Sequence, residues 1–213
     1  MRLGKNLLKL MSIGKRPSEG RADARVPELL TGRLGDARAQ ELLGMLEHMA
    51  GLYAFESALL IRPLHSLANE TGIAEWNAPD GWQSAYADFP VGCVCFAEDI
   101  FGGQFALQES GVCAFDPETG EIKHLTDSLE RWAELILGDY EYLTGYPLGH
   151  EWQVLNGPLA RGYRLVPIKP FVLEGPFDVL NLMPMESRRS MVLRAKLAHS
   201  IRDLPDGAAI CWP

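Results

Sequence analysis

FAEDIFGGQFALQESGVCAFDPETGEIKHL, residues 96–125, is the stretch that decides the fold. Its apolar residues come in short runs, and each run ends at a residue pair suited to a turn. Gly102-Gly103 follows one run, Ser110-Gly111 the next, and Asp116-Pro117 opens a turn that Gly120 closes. Glycine supplies positive φ at no steric cost, and proline pre-sets φ near −65°. VGCVCFA (91–97) therefore reads as a buried strand, with QFALQ (104–108), VCAF (112–115) and EIKHLT (121–126) following it. Strands this short, joined by turns this tight, form an antiparallel meander.

The glycine pair has a second reading, as a phosphate loop flanked by catalytic carboxylates. A P-loop needs Gly, four residues, then Gly-Lys-Ser/Thr opening a helix, and the dinucleotide fingerprint needs three spaced glycines. Here Gly103 runs straight into Gln104 and Phe105 on a strand, so no helix N-terminus faces a phosphate. Glu98 and Asp99 are adjacent, which points their side chains apart rather than at one bond. Asp99 suits an Asx-turn, accepting backbone N–H groups within its own loop. The turn reading is preferred, and Glu98 and Asp99 stay as possible partner-binding carboxylates.

Residues 1–35 read as a basic, poorly ordered arm. Its first 13 residues could form a short amphipathic helix against a partner or membrane surface, but an undocked tail is preferred. The body, 36–213, reads as one domain. DARAQELLGMLEHMAGLY predicts a helix capped by Asp36, with Leu42, Leu43, Leu46, Met49 and Ala50 on one face and Gly51 as its stop. YAFESALLIRPL reads as one extended run ending at Pro63, and one short helix is expected around Gln83–Tyr86. After the sheet, Asp127 and Glu130 form a box-like start to a helix whose apolar face carries Leu129, Trp132, Ala133, Ile136, Tyr140 and Leu143. Gly138 weakens that helix, and Gly145 and Pro147 end it. Trp152 falls in a loop, and RGYRLVPIKPFVLEGPFDVLNL supplies extended pieces broken by prolines. A last helix puts Met191, Ala195, Ala198 and Ile201 on one stripe, before a turn at Asp206-Gly207 and a short tail. The expected class is α+β: an antiparallel, meander-like central sheet packed by helices on one side.

Composition bounds the function. The 213 residues carry a formal charge of −8, which argues against general affinity for nucleic acid. The charge is uneven: residues 1–40 hold nine Lys/Arg against four acids, and the rest holds eleven against 24. An acidic body steers basic partners toward itself. No apolar run is long enough to span a bilayer, and the basic N-terminus lacks the apolar core of a secretory signal. A cytoplasmic location with reduced thiols at Cys93, Cys95, Cys113 and Cys211 is the expectation. Only His124 lies near the first three, so no metal site is expected. A Cys113–His124 pair across neighbouring strands is geometrically available, but a strand-buried thiol is inert. No Gly-x-Ser-x-Gly elbow occurs, and no cofactor is expected.

FAEDIFGGQFAL, VCAFDPETGEI and SLERWAELIL together resemble the SUKH superfamily, known from bacterial toxin-immunity proteins and a yeast cell-wall-synthesis regulator. Asp99, Gly102, Gly103, Asp116 and Trp132 are the matching positions, and the likeness covers roughly residues 36–145. One departure stands out: the family often carries a proline-led helix and an Asn-Gly pair before the sheet, where this chain has GLYAFESALLIRPL. The resemblance implies an α+β fold with those five residues mainly structural and no catalytic constellation. It also implies a protein-binding role, neutralising a cognate toxin that is often a nuclease. A regulatory adaptor in cell-wall synthesis or signalling is the alternative the yeast branch implies. A hydrolase or ligand-binding enzyme using Asp99 or Glu98 is a further one.

Overall fold

Six strands run antiparallel in strict chain order: β1 (Leu52–Ala54), β2 (Leu59–Ile61), β3 (Val94–Asp99), β4 (Gln104–Gln108), β5 (Gly111–Phe115) and β6 (Ile122–Thr126). β3–β6 are the four-strand meander the turn residues predict, and β1 and β2 extend it. The computed structural model describes residues 3–15, 25–49, 51–67, 69–205 and 207–208. Residues 16–24 of the expected arm, Asp206 of the expected turn, and the tail from residue 209, with Cys211 and Trp212, lie outside the described residues. Gly102 takes φ 82° between β3 and β4 as its turn demands. Gly111, at φ 127°, starts β5 where an added Cβ would sit 2.2 Å from the Thr126 carbonyl oxygen. Only glycine lets β5 and the end of β6 approach this closely.

The expected extended run at 53–63, with Leu52 before it, folds back on itself. β1 and β2 pair Leu52 with Ile61 around a turn at Phe55, Glu56 and Ser57, all three at positive φ. That turn carries no glycine, proline, asparagine or aspartate, and Ser57 alone is a weak turn signal.

Helices cover both faces of the sheet, not one. α1 (Lys5–Ile13), α2 (Arg25–Met49) and α4 (Leu129–Gly138) pack against Val94, Phe96, Phe105, Leu107 and Val112. On the other face, α3 (Ile73–Trp76), a 3-10 turn at Trp82–Ala85 and α7 (Ser187–Ile201) pack Trp76, Trp82, Met191 and Ala195 against Cys93, Cys95, Ala106 and Phe115. The reason is legible in hindsight. Both the even and the odd positions of 93–97 are apolar, and a strand buried on both sides reads as a continuous apolar run. The α+β class and the antiparallel meander stand, while the one-sided covering is corrected.

The basic arm is corrected as well over its described residues. Leu3, Leu7 and Leu10 are buried beside α4, and Lys15 exchanges two backbone hydrogen bonds with Tyr53 on β1. Glu130 holds α1 in place by accepting hydrogen bonds from the N–H groups of Asn6 (2.8 Å) and Leu7 (3.1 Å). A carboxylate at a helix N-terminus satisfies orphan donors and meets the positive end of the dipole. Glu130→Ala is therefore expected to cost about 1–2 kcal/mol and to free α1 locally. Faster amide exchange confined to residues 5–13 is the readout, and unchanged exchange there would contradict this role.

α2 begins eleven residues before the expected Asp36 cap and bends at Gly35, where φ is 71°. Ser128, not Asp127, caps α4, accepting from the Arg131 N–H. Asp139 leaves helical geometry at φ −147°, so Gly138 does end that helix, and α5 (Tyr140–Thr144) and α6 (Tyr146–Asn156) continue as separate turns. Gly145 separates these two at φ 68°. Trp152, expected in a loop, is buried in α6 against Ile100 and Leu165. The proline-broken segment forms a ribbon of β7 (Tyr163–Pro167) and β8 (Leu182–Glu186), tied to the sheet by the Leu165 N–H to Ile100 carbonyl bond of 2.9 Å. No helix among the described residues is long and apolar enough to cross a membrane.

Candidate functional site

The Gly102-Gly103 loop is closed from within. Asp99 Oδ1 accepts hydrogen bonds from the N–H groups of Phe101 (2.8 Å) and Gly103 (2.9 Å), the Asx-turn arrangement expected for it. Burial pushes the Asp99 carboxyl up to about 7, against those two donors and the Arg194 guanidinium. Arg194 also binds the loop from α7, donating to the Phe101 carbonyl oxygen. Asp116 does the same for its own turn, accepting from the Glu118 N–H at 2.8 Å. Trp132 lies fully buried, edge-on to Phe96 and Phe105. These sequence-singled residues hold turns and core together; none of them meets at a common reactive point.

Glu98 is not a surface carboxylate. It is fully buried, so it cannot serve as the partner-binding handle its sequence position allowed. Its Oε2 accepts from Arg62 Nη2 (2.6 Å) and Gln104 Nε2 (3.0 Å), while Oε1 lies 2.8 Å from Arg164 Nε and 3.3 Å from Ser187 Oγ. Burial alone would raise this carboxyl, but the Arg164 and Arg62 guanidiniums and the Gln104 amide outweigh it and hold it below the ordinary range. Arg62 in turn stacks on Trp76, 3.2 Å from the ring centroid. Four contacts from four chain segments thus converge on one carboxylate.

Glu70 lies beside this cluster. Its Oε1 accepts from the Tyr53 hydroxyl and from the Gly162 N–H (3.0 Å), whereas its buried Oε2 has no partner. Burial raises Glu70 to about 7, opposed chiefly by Arg164. The sign follows directly. An acid whose pKa rises on folding binds its proton more tightly when folded, so stability falls as pH rises from the unfolded value to about 7. Asp99 adds a second slope of the same sign. Glu70→Gln is expected to remove about half of this pH dependence between pH 5 and 8, measured by urea unfolding at each pH. An unaltered slope would contradict it.

A cleft of about 320 Å³ opens above the cluster, between the 67–71 loop, the 161–163 turn and the start of α7. Sequence reasoning missed all of it. Arg62 and Glu70 come from one segment, Arg161 and Arg164 from a second far along the chain, and Glu98 from a third, so no local spacing joins the three. Pro63 directly after Arg62, and the alternation RGYRLVP, were the available hints of a buried arginine on a strand.

The other candidate chemistry stays apart. Cys113 and His124 are direct register partners on β5 and β6, yet Cys113 donates to Gln108 and His124 lies 3.2 Å from Asp127. Cys93, Cys95 and Cys113 are free and buried. Among the described residues no group of three or more His, Cys, Asp or Glu is placed to hold a metal ion.

No protein-family model matches the chain, and no curated protein does. Among solved structures it is similar to "Crystal structure of Atu4351 from Agrobacterium tumefaciens", at 14% identity and a TM-score of 0.56, over 90% of this chain and 88% of that one. At that identity the likeness concerns the fold alone.

Proposed function

We propose that this chain is a non-enzymatic protein-binding module that neutralises a cognate bacterial toxin in the cytoplasm, through an acidic surface on α4–α6. The supporting observation is the make-up of that surface. Asp127, Glu134, Asp139, Glu141 and Glu151 are exposed along residues 127–156, where Arg131 is the only Lys or Arg. Among them stand exposed apolar side chains, Tyr142 at 82%, Val154 at 69% and Leu155 at 65%. Aromatic and aliphatic anchors within a mainly acidic field, where Glu134 is paired with Arg131, give affinity and steering together. A nuclease, whose substrate-facing surface is basic, is the complementary partner. The SUKH resemblance, carried by Asp99, Gly102, Gly103, Asp116 and Trp132, points the same way.

The test is co-expression with the product of an adjacent toxin reading frame. Rescue of growth and a stoichiometric complex on size exclusion are expected. Combining Glu134→Lys, Glu141→Lys and Glu151→Lys should weaken the complex at least tenfold, mainly through a slower, less salt-sensitive association. No rescue and no complex would overturn the reading. Capture of several unrelated partners instead would favour the regulatory adaptor.

A further inference from the structure

The cleft above Glu98 has unspent donors at its base and spent acceptors at its rim. Arg62, 2% exposed, lines the cleft, and its Nε has no hydrogen-bond partner. Its Nη1 makes only a long 3.3 Å bond to the Thr71 carbonyl oxygen, which a better acceptor can replace. Arg164, 1% exposed, lies beneath, and its Nη2 also lacks a partner. Buried guanidinium donors left unmade are costly, and the two arginines face only one fully ionised carboxylate, Glu98.

Two of the three acids lining the cleft are committed, and the third, Glu70, keeps one oxygen without a partner. Glu75 pairs with Arg188 and accepts from Ser66, and Glu186 accepts from the N–H groups of Arg188 and Arg189 at the start of α7. Arg161 stands exposed at the mouth, 6.0 Å over the Tyr53 ring. Ser187 also lines the cleft, beside Gly162, whose carbonyl oxygen accepts from the Ser187 N–H at 2.8 Å, and its hydroxyl is already turned to Glu98. Planar guanidinium forks match carboxylate and phosphate oxygens two at a time. The volume is at the lower end of that of small-molecule sites.

We propose that this cleft binds a small oxyanion, a carboxylate or phosphate on a metabolite-sized molecule, held by Arg62 and Arg161. Glu70 then tunes the site. It faces Tyr53 from β1, the Gly162 N–H, Arg161 and Arg164 from the β7 segment, and Glu98 from β3. Ionised, Glu70 competes with the ligand for the same arginines; protonated, it does not repel. The bound anion is favoured on the acid side of neutrality, by up to about tenfold between pH 8 and pH 6.

The experiment titrates inorganic sulfate, inorganic phosphate and malonate separately into the full chain, following the Thr71 and Gly162 amide resonances at constant ionic strength. Saturable shifts at those amides are expected, weakened at least fivefold in Arg161→Ala. Arg161 is exposed, so that variant keeps the fold. Glu70→Gln should abolish the pH dependence of sulfate binding, since sulfate itself does not titrate there. Preference for phosphate or for malonate identifies which oxyanion the site takes. Shifts that do not saturate, that chloride reproduces, or that Arg161→Ala leaves intact would overturn the proposal.

Discussion

Glu98→Gln is expected to lower stability by about 3–5 kcal/mol, a fall of about 10 °C or more in Tm for a chain of this size. The substitution keeps the shape but removes the one negative charge that Arg62 and Arg164 both contact, at 2.6 and 2.8 Å. With both guanidiniums buried, neither can rehydrate, and an uncompensated buried charge costs far more than a lost surface pair. The damage should also be distributed. Glu98 joins the end of β2, β4, β7 and the start of α7, so the β7–β8 ribbon should loosen from the sheet together with α7. The acid limb gives an independent sign. Glu98 is held below the ordinary carboxylate range, so its contribution is present above the unfolded pKa and lost as pH falls through its folded value. Glu98→Gln should flatten that acid loss. Circular dichroism melts across pH decide it, and a variant within 2 °C of the parent throughout would refute the keystone role.

Trp132→Ala is expected to cost about 3–5 kcal/mol through the cavity it opens. The indole is fully buried, with ring centroids 4.9 Å from Phe96 and 5.5 Å from Phe105. It is the point where α4 meets β3 and β4. Trp132→Phe should be far milder, near 1 kcal/mol, because the buried indole N–H has no partner and its removal relieves an unmet donor. Urea midpoints of the two variants separate packing from polar satisfaction. If both lost equal stability, the indole nitrogen would have to be making a bond that matters.

Much of the sheet was legible because turn chemistry is local. Asp116-Pro117 with Gly120, and the Gly102-Gly103 pair with Asp99, each specify their turn through neighbours a few residues away. The stripe Met191, Ala195, Ala198 likewise marks the buried face of α7, since helical periodicity is a short-range property. The 55–57 turn escaped because the positive φ of Phe, Glu and Ser there goes with the pairing of β1 onto β2 and of β2 onto β3, which no strong local signal in the chain announces. The docking of α1 escaped for a related reason. Lysines interrupt its leucines in the chain, but they lie on the opposite side of the helix, and its N-terminal donors are met by Glu130, more than a hundred residues away.

Glu98 divides the two kinds of knowledge most sharply. Its place, between the strand VGCVCFA and the Gly102-Gly103 turn, follows from the sequence alone. Whether it faced water or arginine did not. Strand alternation says only that Glu98 and Asp99 point to different sides, and both sides of this sheet are covered. The four strands from 94 to 126, the turns between them and the acidic body follow from neighbouring residues and composition. Only the tertiary structure brought Arg62, Glu70, Glu98 and Arg164 together, because a buried charge cluster is assembled across distant segments and leaves no spacing to read.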